Sequence, residues 1–209
     1  MQQVNFYNLD GNELIVFLRQ VRGGDELHAA APFAFPAEDR AQLESDLVVW
    51  PETLAQVTLL GGDRGEARQT RDDAAKRFRS AVRPARQWAK GAFPGDDERS
   101  VQYGLDTMPG RKLAEMLARG QAILRAASQE PPLEPAIPER LLTPIQAALV
   151  QLETGIDAYQ RARAAHKKAL QDRNALRKEI EARLRYLRQH LYTFMEQDDP
   201  VLLDYGFAR

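Results

Sequence analysis

The sequence has no cysteine among its 209 residues. That absence excludes disulfide bonds, thiolate nucleophiles and thiolate metal sites, and it is typical of proteins from a reducing compartment. Long apolar runs are also missing, since stretches such as residues 14–18 are far too short to cross a bilayer. The first 21 residues lack a basic start followed by an apolar run and a small-residue cleavage site. We therefore expect a cytoplasmic protein with no membrane association.

Valine, isoleucine and threonine are scarce, so a large β-sheet is not expected. The chain is rich instead in Ala, Leu, Arg, Gln and Glu, which are strong helix formers. With 44% apolar and 28% charged residues, the composition is that of a globular protein with a buried core. The composition therefore predicts an all-α fold.

Sequence motifs for catalysis and cofactor binding are absent as well. The chain has no phosphate-binding loop, dinucleotide fingerprint or nucleophile elbow, and its three histidines are far apart without a Glu-x-x-His pair. In the segment DELH at 25–28, Asp25 and His28 have the spacing of a metal-ligand pair on a helix, but the segment overlaps RGGDE at 22–26, which we interpret as a turn. Its polar side chains are expected at the surface. We predict a protein that is not an enzyme and holds no metal or cofactor.

An internal repeat at an offset of 102 positions is the most informative feature of the sequence. Residues 71–105 align without a gap on residues 173–207, and nine of the 35 positions are identical. The identical pairs are Arg71/Arg173, Lys76/Lys178, Arg83/Arg185, Arg86/Arg188, Gln87/Gln189, Asp96/Asp198, Asp97/Asp199, Tyr103/Tyr205 and Gly104/Gly206. We interpret the chain as two tandem helical repeats, residues 1–105 and 106–209.

Apolar residues follow the same offset and form two lines, here called seams, in each copy. Both seams step by four and three residues, as in a helix that packs along one side. The A seams are Leu43, Leu47, Trp50, Leu54 and Val57 in the first copy, and Ile145, Leu149, Leu152, Ile156 and Tyr159 in the second. The B seams are Phe78, Val82, Ala85, Ala89 and Ala92 in the first copy, and Ile180, Leu184, Leu187, Leu191 and Phe194 in the second. A shorter match at an offset of 99 aligns residues 12–20 with 111–119, and the difference falls in two proline-bearing loops.

Each copy is predicted to form a helical hairpin with a short leading helix and a short capping turn, and the two hairpins to share one bundle. The bounds of helices A and B are about 38–60 and 66–93 in the first copy, and 139–166 and 170–196 in the second. GGDRG at 61–65 should end helix A of the first copy, whereas a single helix over 144–196 stays open as an alternative for the second. Pro51 and Pro84 should interrupt or kink the first copy.

The ends of these elements carry local signals. Asp10 with Glu13 has the pattern of a capping box for the leading helix. In DDPVLLDYGF, Asp199 can cap a short helical turn, and Gly206 can take the left-handed conformation that ends it. DDERSVQYGL repeats this pattern with Asp97. The paired aspartates could instead bind a cation, but two adjacent carboxylates lack the spacing of a calcium loop, so we interpret both motifs as capped turns.

Charge is unevenly distributed although the net charge is only −1. Residues 64–90 carry nine Lys and Arg against three Asp and Glu, residues 161–188 carry ten against three, and the flanking segments are acidic. The basic B helices either face acidic protein, within the bundle or between subunits, or present a stripe to the phosphates of nucleic acid. The candidate interaction residues are Arg79, Arg83, Arg86, Lys90, Arg183, Arg185 and Arg188.

Protein contact is the interpretation that the sequence favours. Only Arg83 and Arg86 keep their charge across the repeat, and the isoelectric point is near 6.3 without a basic tail. We therefore expect a helical scaffold or self-assembling subunit whose partner is itself or another protein. A nucleic-acid-associated protein that uses the basic B helices is the first alternative. A bundle with a small-ligand or cofactor site hidden from the sequence is the second.

Overall fold

The computed structural model of the protein describes residues 6–130 and 133–207, and it confirms the all-α prediction. A short 3-10 helix at Phe6–Asn8 precedes the α-helices. These are α1 (Gly11–Leu27), α2 (Ala37–Ala92), α3 (Asp97–Gln102), α4 (Leu113–Ala127), α5 (Glu139–Tyr192) and α6 (Val201–Asp204). The described residues contain no β-strand. Pro131 and Pro132 of the second proline-bearing loop lie outside the described residues.

Helices α2 and α5 are continuous over 56 and 54 residues. The predicted turn at 61–65 is therefore wrong, and the single-helix alternative for the second copy is confirmed. Gly62 and Gly65 lie inside α2, and a Cβ atom added at either would have no neighbour within 4 Å. Glycine lowers helix stability but does not force a turn, and the residues around this segment include good helix formers such as Leu, Arg and Glu.

Two prolines lie within α2, so the predicted interruption at these positions is wrong, while the kink given as its alternative stays a prediction. Pro51 and Pro84 are both assigned to the helix. Each proline removes one amide donor and crowds the carbonyl four residues earlier. A helix this long, with a seam to bury on both sides of each proline, therefore continues through both positions.

The chain divides into two compact units that do not follow the repeat boundaries. Unit 1 comprises Met1–Gly61 and Ala165–Arg209, and unit 2 comprises Gly62–Ala164. Each long helix therefore contributes one part to unit 1 and the other part to unit 2. Each unit combines one segment from the first predicted repeat with one segment from the second.

The core of unit 1 is built from α1, the first part of α2 and the second part of α5. Its buried side chains include Leu14, Phe17 and Leu18 from α1, Leu43 and Trp50 from α2, and Ile180, Leu184, Leu187 and Leu191 from α5. Leu202, Tyr205 and Phe207 close it from the terminal turn. Trp50 also donates a hydrogen bond from Nε1 to the carbonyl oxygen of Gly11 at 2.9 Å. Four of the five residues of the predicted B seam of the second copy are thus buried as one line, whereas Phe194 lies beyond the end of α5 and is 51% exposed.

The core of unit 2 is built in the same way, from α4, the second part of α2 and the first part of α5. Its buried side chains include Phe78, Val82, Ala85 and Ala89 from α2, Met116 and Ile123 from α4, and Ile145, Leu149 and Leu152 from α5. Tyr103 and Leu105 close it from the turn after α3. In both units, therefore, the A seam of one copy packs with the B seam of the other. A hairpin would have paired the two seams of one copy, which a continuous helix cannot do.

The leading helix is capped as predicted and is longer than predicted. The Asp10 carboxylate accepts the amides of Asn12 and Glu13 at 2.8 Å, and the Glu13 carboxylate accepts the Asp10 amide at 2.7 Å. The helix then continues to Leu27, so RGGDE at 22–26 is helical and not a turn. Burial of this segment in unit 1 outweighs the cost of its two glycines.

Both closing turns have the predicted glycine geometry. Gly104 has φ +66° and Gly206 has φ +74°, a backbone conformation that glycine adopts without strain. Asp199 accepts the Val201 amide at 2.9 Å. The cap of α3 is Asp96 instead of the predicted Asp97, since its carboxylate accepts an amide of the first turn.

Candidate functional site

Unit 2 carries an open groove along α2 that collects five basic side chains. The groove has a volume of about 590 Å³. It is lined by Lys76, Arg79, Arg83, Arg86 and Lys90, by two polar residues, and by Met108. None of the described residues that line it is acidic. A concave surface with charge of one sign raises the local concentration of anions.

Four of these cations are the first-copy residues that the sequence singled out. Arg79, Arg83, Arg86 and Lys90 follow one another at intervals of four, three and four residues, so they occupy one face of α2. The eleven residue-to-residue steps from Arg79 to Lys90 correspond to a rise of about 16 Å along the helix. The structure therefore brings all four together on one surface.

Most of these side chains have hydrogen-bonding capacity to spare. Arg86 donates from Nε and Nη2 to the carbonyl oxygen of Asp106 at 3.3 and 3.2 Å. The Nε atom of Arg79 is buried and has no hydrogen-bond partner among the described residues. Arg83 and Lys90 are exposed, and neither forms an ion pair within the described part of the chain.

The loop that carries Met108 is held in place by Arg119. This arginine pairs with the Asp106 carboxylate and donates to the Gly104 carbonyl at 3.1 Å and to the Thr107 hydroxyl at 2.8 Å. Burial raises the pKa of the Asp106 carboxyl, but the charge of Arg119 and the hydrogen bonds from Arg119 and Thr107 together outweigh burial and lower this pKa. Asp106 therefore stays ionised and paired with Arg119, outside the set of groove-lining residues.

Sequence reasoning missed two residues of the groove. Lys76 lies three residues before Arg79, a helical spacing that could have included it, and its ammonium group is paired with Asp73 at 2.9 Å. Met108 comes from a loop after the next helix. No local pattern in the sequence indicates that this loop returns to α2.

The candidate arginines of the second copy lie in unit 1, where they contact protein. The contacts are Arg183 with the Asp46 carboxylate, Arg185 with the Tyr7 hydroxyl at 2.7 Å, and Arg188 with the Phe6 ring at 5.2 Å from its centre. The seven candidates are thus divided between two units and between two environments. The first-copy residues line an open groove, whereas the second-copy residues support the packing of unit 1.

A buried polar cluster in unit 1 corrects the expectation for DELH. Asp25 is only 4% exposed and accepts the Phe35 amide at 2.7 Å and Arg40 Nε at 2.6 Å. His28 Nε2 lies 2.8 Å from the Asp204 carboxylate. These residues are therefore not free at the surface, because they fix the loop after α1 and the terminal turn.

Exposed apolar side chains are concentrated in unit 1. Nine of the eleven large apolar side chains that are exposed among the described residues lie there. Val48, Ala55 and Leu59 occupy one face of α2 together with Glu52, and Val48 and Leu59 are 59% and 65% exposed. In unit 2 the corresponding face of α5 keeps only Val150 as a large apolar residue. This α2 face, called the apolar face below, is thus specific to unit 1.

Within residues 6–130 and 133–207, no group of three or more His, Asp or Glu side chains is placed to hold a metal ion. None of the described helices combines the length and the apolar character needed to span a membrane. Comparison of the chain with protein-family models, curated proteins and solved structures finds no match in any of the three.

Proposed function

We propose that the protein is a non-enzymatic helical scaffold that acts through protein–protein contacts, with a second copy of the same chain as its partner. The apolar face of unit 1 is the observation that carries this proposal. Large apolar side chains exposed on one face of a helix are typical of an interaction site. Covering it stabilises an interface by roughly 25 cal/mol for each Å² of apolar area removed from water.

The residue order on this face is self-complementary. In an antiparallel pair of α2 helices, Val48 of one copy lies against Leu59 of the other, and Glu52 lies against Ala55. Apolar side chains then contact apolar side chains at both ends of the face, and Glu52 of one copy does not lie against Glu52 of the other. An interface between identical surfaces related by a twofold axis requires this kind of pattern. Because unit 2 lacks the face, the contact closes as a dimer and does not extend into a filament.

We also propose that the chain arose by duplication of one helical repeat. Each unit contains a short helix, one part of each long helix and a closing turn. The turns repeat in detail, since the Gly104 amide bonds to the Val101 carbonyl at 2.9 Å and the Gly206 amide to the Leu203 carbonyl at 3.0 Å. Duplication explains why one chain has two similar units, whose surfaces then diverged.

Sedimentation equilibrium of the full chain tests the dimer. We expect a wild-type dimer that dissociates on dilution. Leu59→Glu places a carboxylate against Val48 of the other copy, so this variant should be monomeric over the same concentration range. Val150→Glu is the matched control, because it adds the same charge at an exposed valine of unit 2 and should leave the dimer unchanged.

A wild-type chain that stays monomeric at the highest attainable concentration would contradict self-assembly. A dimer that Leu59→Glu and Val150→Glu weaken equally would show that the apolar face is not its interface.

A further inference from the structure

The groove of unit 2 is a site whose chemistry differs from that of the apolar face. Five cations line about 590 Å³, and no described carboxylate is among the lining residues. Of the five, Lys76 alone forms an ion pair within the described residues, with Asp73. Holding like charges this close in the folded state is unfavourable unless an anion neutralises them. The arrangement is therefore better suited to binding an anion than to stabilising the fold.

The free donors of the groove favour phosphate as that anion. Arg83 and Lys90 have no ion-pair partner among the described residues, and the Arg79 Nε atom is buried without an acceptor. A guanidinium group donates two parallel hydrogen bonds to a phosphate, and lysine adds a mobile point charge. Arg79 also lines the groove, so its positive charge attracts the same phosphate.

The shape of the groove favours a linear ligand. Its cations follow α2 for about 16 Å from Arg79 to Lys90, so a single phosphate could reach only part of the row. Several phosphates in one chain could each meet a different basic side chain. Arg86 is held at the middle of the row by its bond to the Asp106 carbonyl.

The groove offers little to a protein segment or to a nucleobase. Met108 is the one apolar residue among the described residues that line it, whereas protein interfaces are organised around buried apolar and aromatic side chains. Trp88 does not line the groove, and its ring packs on Phe93 and Tyr103 at 6.0 and 5.9 Å between centres. No aromatic ring among the lining residues is therefore available for base stacking.

Unit 1 lacks an equivalent row of four cations among its described residues. At the positions 102 residues after Arg79 and Lys90 stand Glu181 and Tyr192, so two cations of the row are lost. The remaining two arginines contact the Tyr7 hydroxyl and the Phe6 ring. The row is thus intact only in unit 2.

We propose that this groove binds a short linear chain of phosphate groups, with Arg79, Arg83, Arg86 and Lys90 as its ligands. Binding requires no covalent step and does not depend on the apolar face. The proposed dimer and the proposed phosphate site can therefore be refuted independently.

Calorimetric titration of the full chain with sodium tripolyphosphate tests the site. We expect one tripolyphosphate per chain, bound at least tenfold more weakly by Arg83→Gln/Lys90→Gln, whose side chains are exposed and unpaired. Arg79→Gln should also weaken binding, because it removes one of the four cations of the row. Arg161→Gln/Arg163→Gln is the matched control, since it removes the same charge from exposed positions of α5 in unit 2 and should change affinity less than twofold.

Three results would overturn the proposal. Equal weakening by the control would show general charge attraction. Binding of duplex DNA without binding of tripolyphosphate would make the groove a nucleic-acid surface. Loss of self-association in the Arg83→Gln/Lys90→Gln variant, with no tripolyphosphate binding by the wild type, would make it a protein interface.

Discussion

Asp46 and Arg183 form an ion pair inside unit 1, and the positions 102 residues away in the sequence, Ala148 and Ala81, carry no charge. Burial raises the pKa of Asp46, and the hydrogen bond and charge of Arg183 offset this only in part. The free-energy cost of removing the carboxylate from water is therefore larger than the stabilisation that Arg183 provides. Unit 2 packs the same two positions with methyl groups, which shows that the charges are not required by the arrangement of helices.

Replacing the whole ion pair should consequently do less harm than breaking it. Asp46→Leu/Arg183→Met is expected to be neutral or stabilising, by up to about 1–4 kcal/mol, because similar volume is kept and no charge is buried. Arg183→Met alone should lower the free energy of unfolding by about 3–5 kcal/mol, since it leaves Asp46 unpaired. Urea unfolding at neutral pH measures both, and a double variant less stable than the single one would refute this account.

The raised pKa of Asp46 also predicts how the stability of the protein changes with pH. The raised pKa means that folded Asp46 holds its proton at a higher pH than unfolded Asp46 does. Its contribution to stability is therefore greatest below about 3.9, the ordinary pKa of an aspartate, and is lost as pH rises through the folded pKa. As pH rises from about 3.9 through the folded pKa of Asp46, the free energy of unfolding of the wild type should fall relative to that of Asp46→Asn. Above the folded pKa, the difference between the two proteins should stay constant. Urea unfolding of both proteins across this pH range measures the change.

At the scale of single elements, the continuity of α2 through its glycines can be tested directly. Gly62→Ala and Gly65→Ala should each raise the free energy of unfolding by about 0.4–1 kcal/mol, because both positions are helical and neither methyl group meets a neighbour. Gly206→Ala is the control and should be destabilising, since its φ is +74° and a Cβ would lie 2.8 Å from Gln20. Thermal or urea unfolding measures the three variants. Destabilisation by Gly62→Ala would indicate a turn at 61–65.

For the whole molecule, the division of both long helices between two units determines how fragments should behave. A chain of residues 106–209 contains α4, α5 and α6, but it lacks the α1 and α2 segments that complete the two cores. Two such chains could complete each other, because the A seam of one would cover the B seam of the other. A single chain would leave both seams exposed.

We therefore expect residues 106–209 to form a helical dimer. Residues 1–105 should fold poorly alone, because their B seam has Ala85 and Ala89 where the other copy has Leu187 and Leu191. Sedimentation equilibrium and melting followed by circular dichroism distinguish these outcomes. A monomeric residue 106–209 fragment that melts cooperatively would show that the units do not depend on segments from both copies.

The candidate site was only partly predictable. The spacing of Arg79, Arg83, Arg86 and Lys90 places them on one face of a helix, which follows from helical periodicity alone. The arginines of the second copy have a similar local pattern, yet they contact Asp46, Tyr7 and Phe6 in unit 1. Asp46 is 137 residues from Arg183 in the sequence, and Tyr7 is 178 residues from Arg185. Partners this distant leave no local pattern that could distinguish a free arginine from a paired one.

The sequence by itself determined the helical class, the seam residues and the capping box at Asp10, because each depends on residues within one or two helical turns of one another. Only the tertiary structure decided that α2 continues through Gly62, Gly65 and Pro84 and that α5 is a single helix. It also decided that each A seam packs on the B seam of the other copy. A periodic seam shows that a helix face must be buried, but the face that covers it is chosen by contacts distant in sequence, where several pairings satisfy the same local pattern.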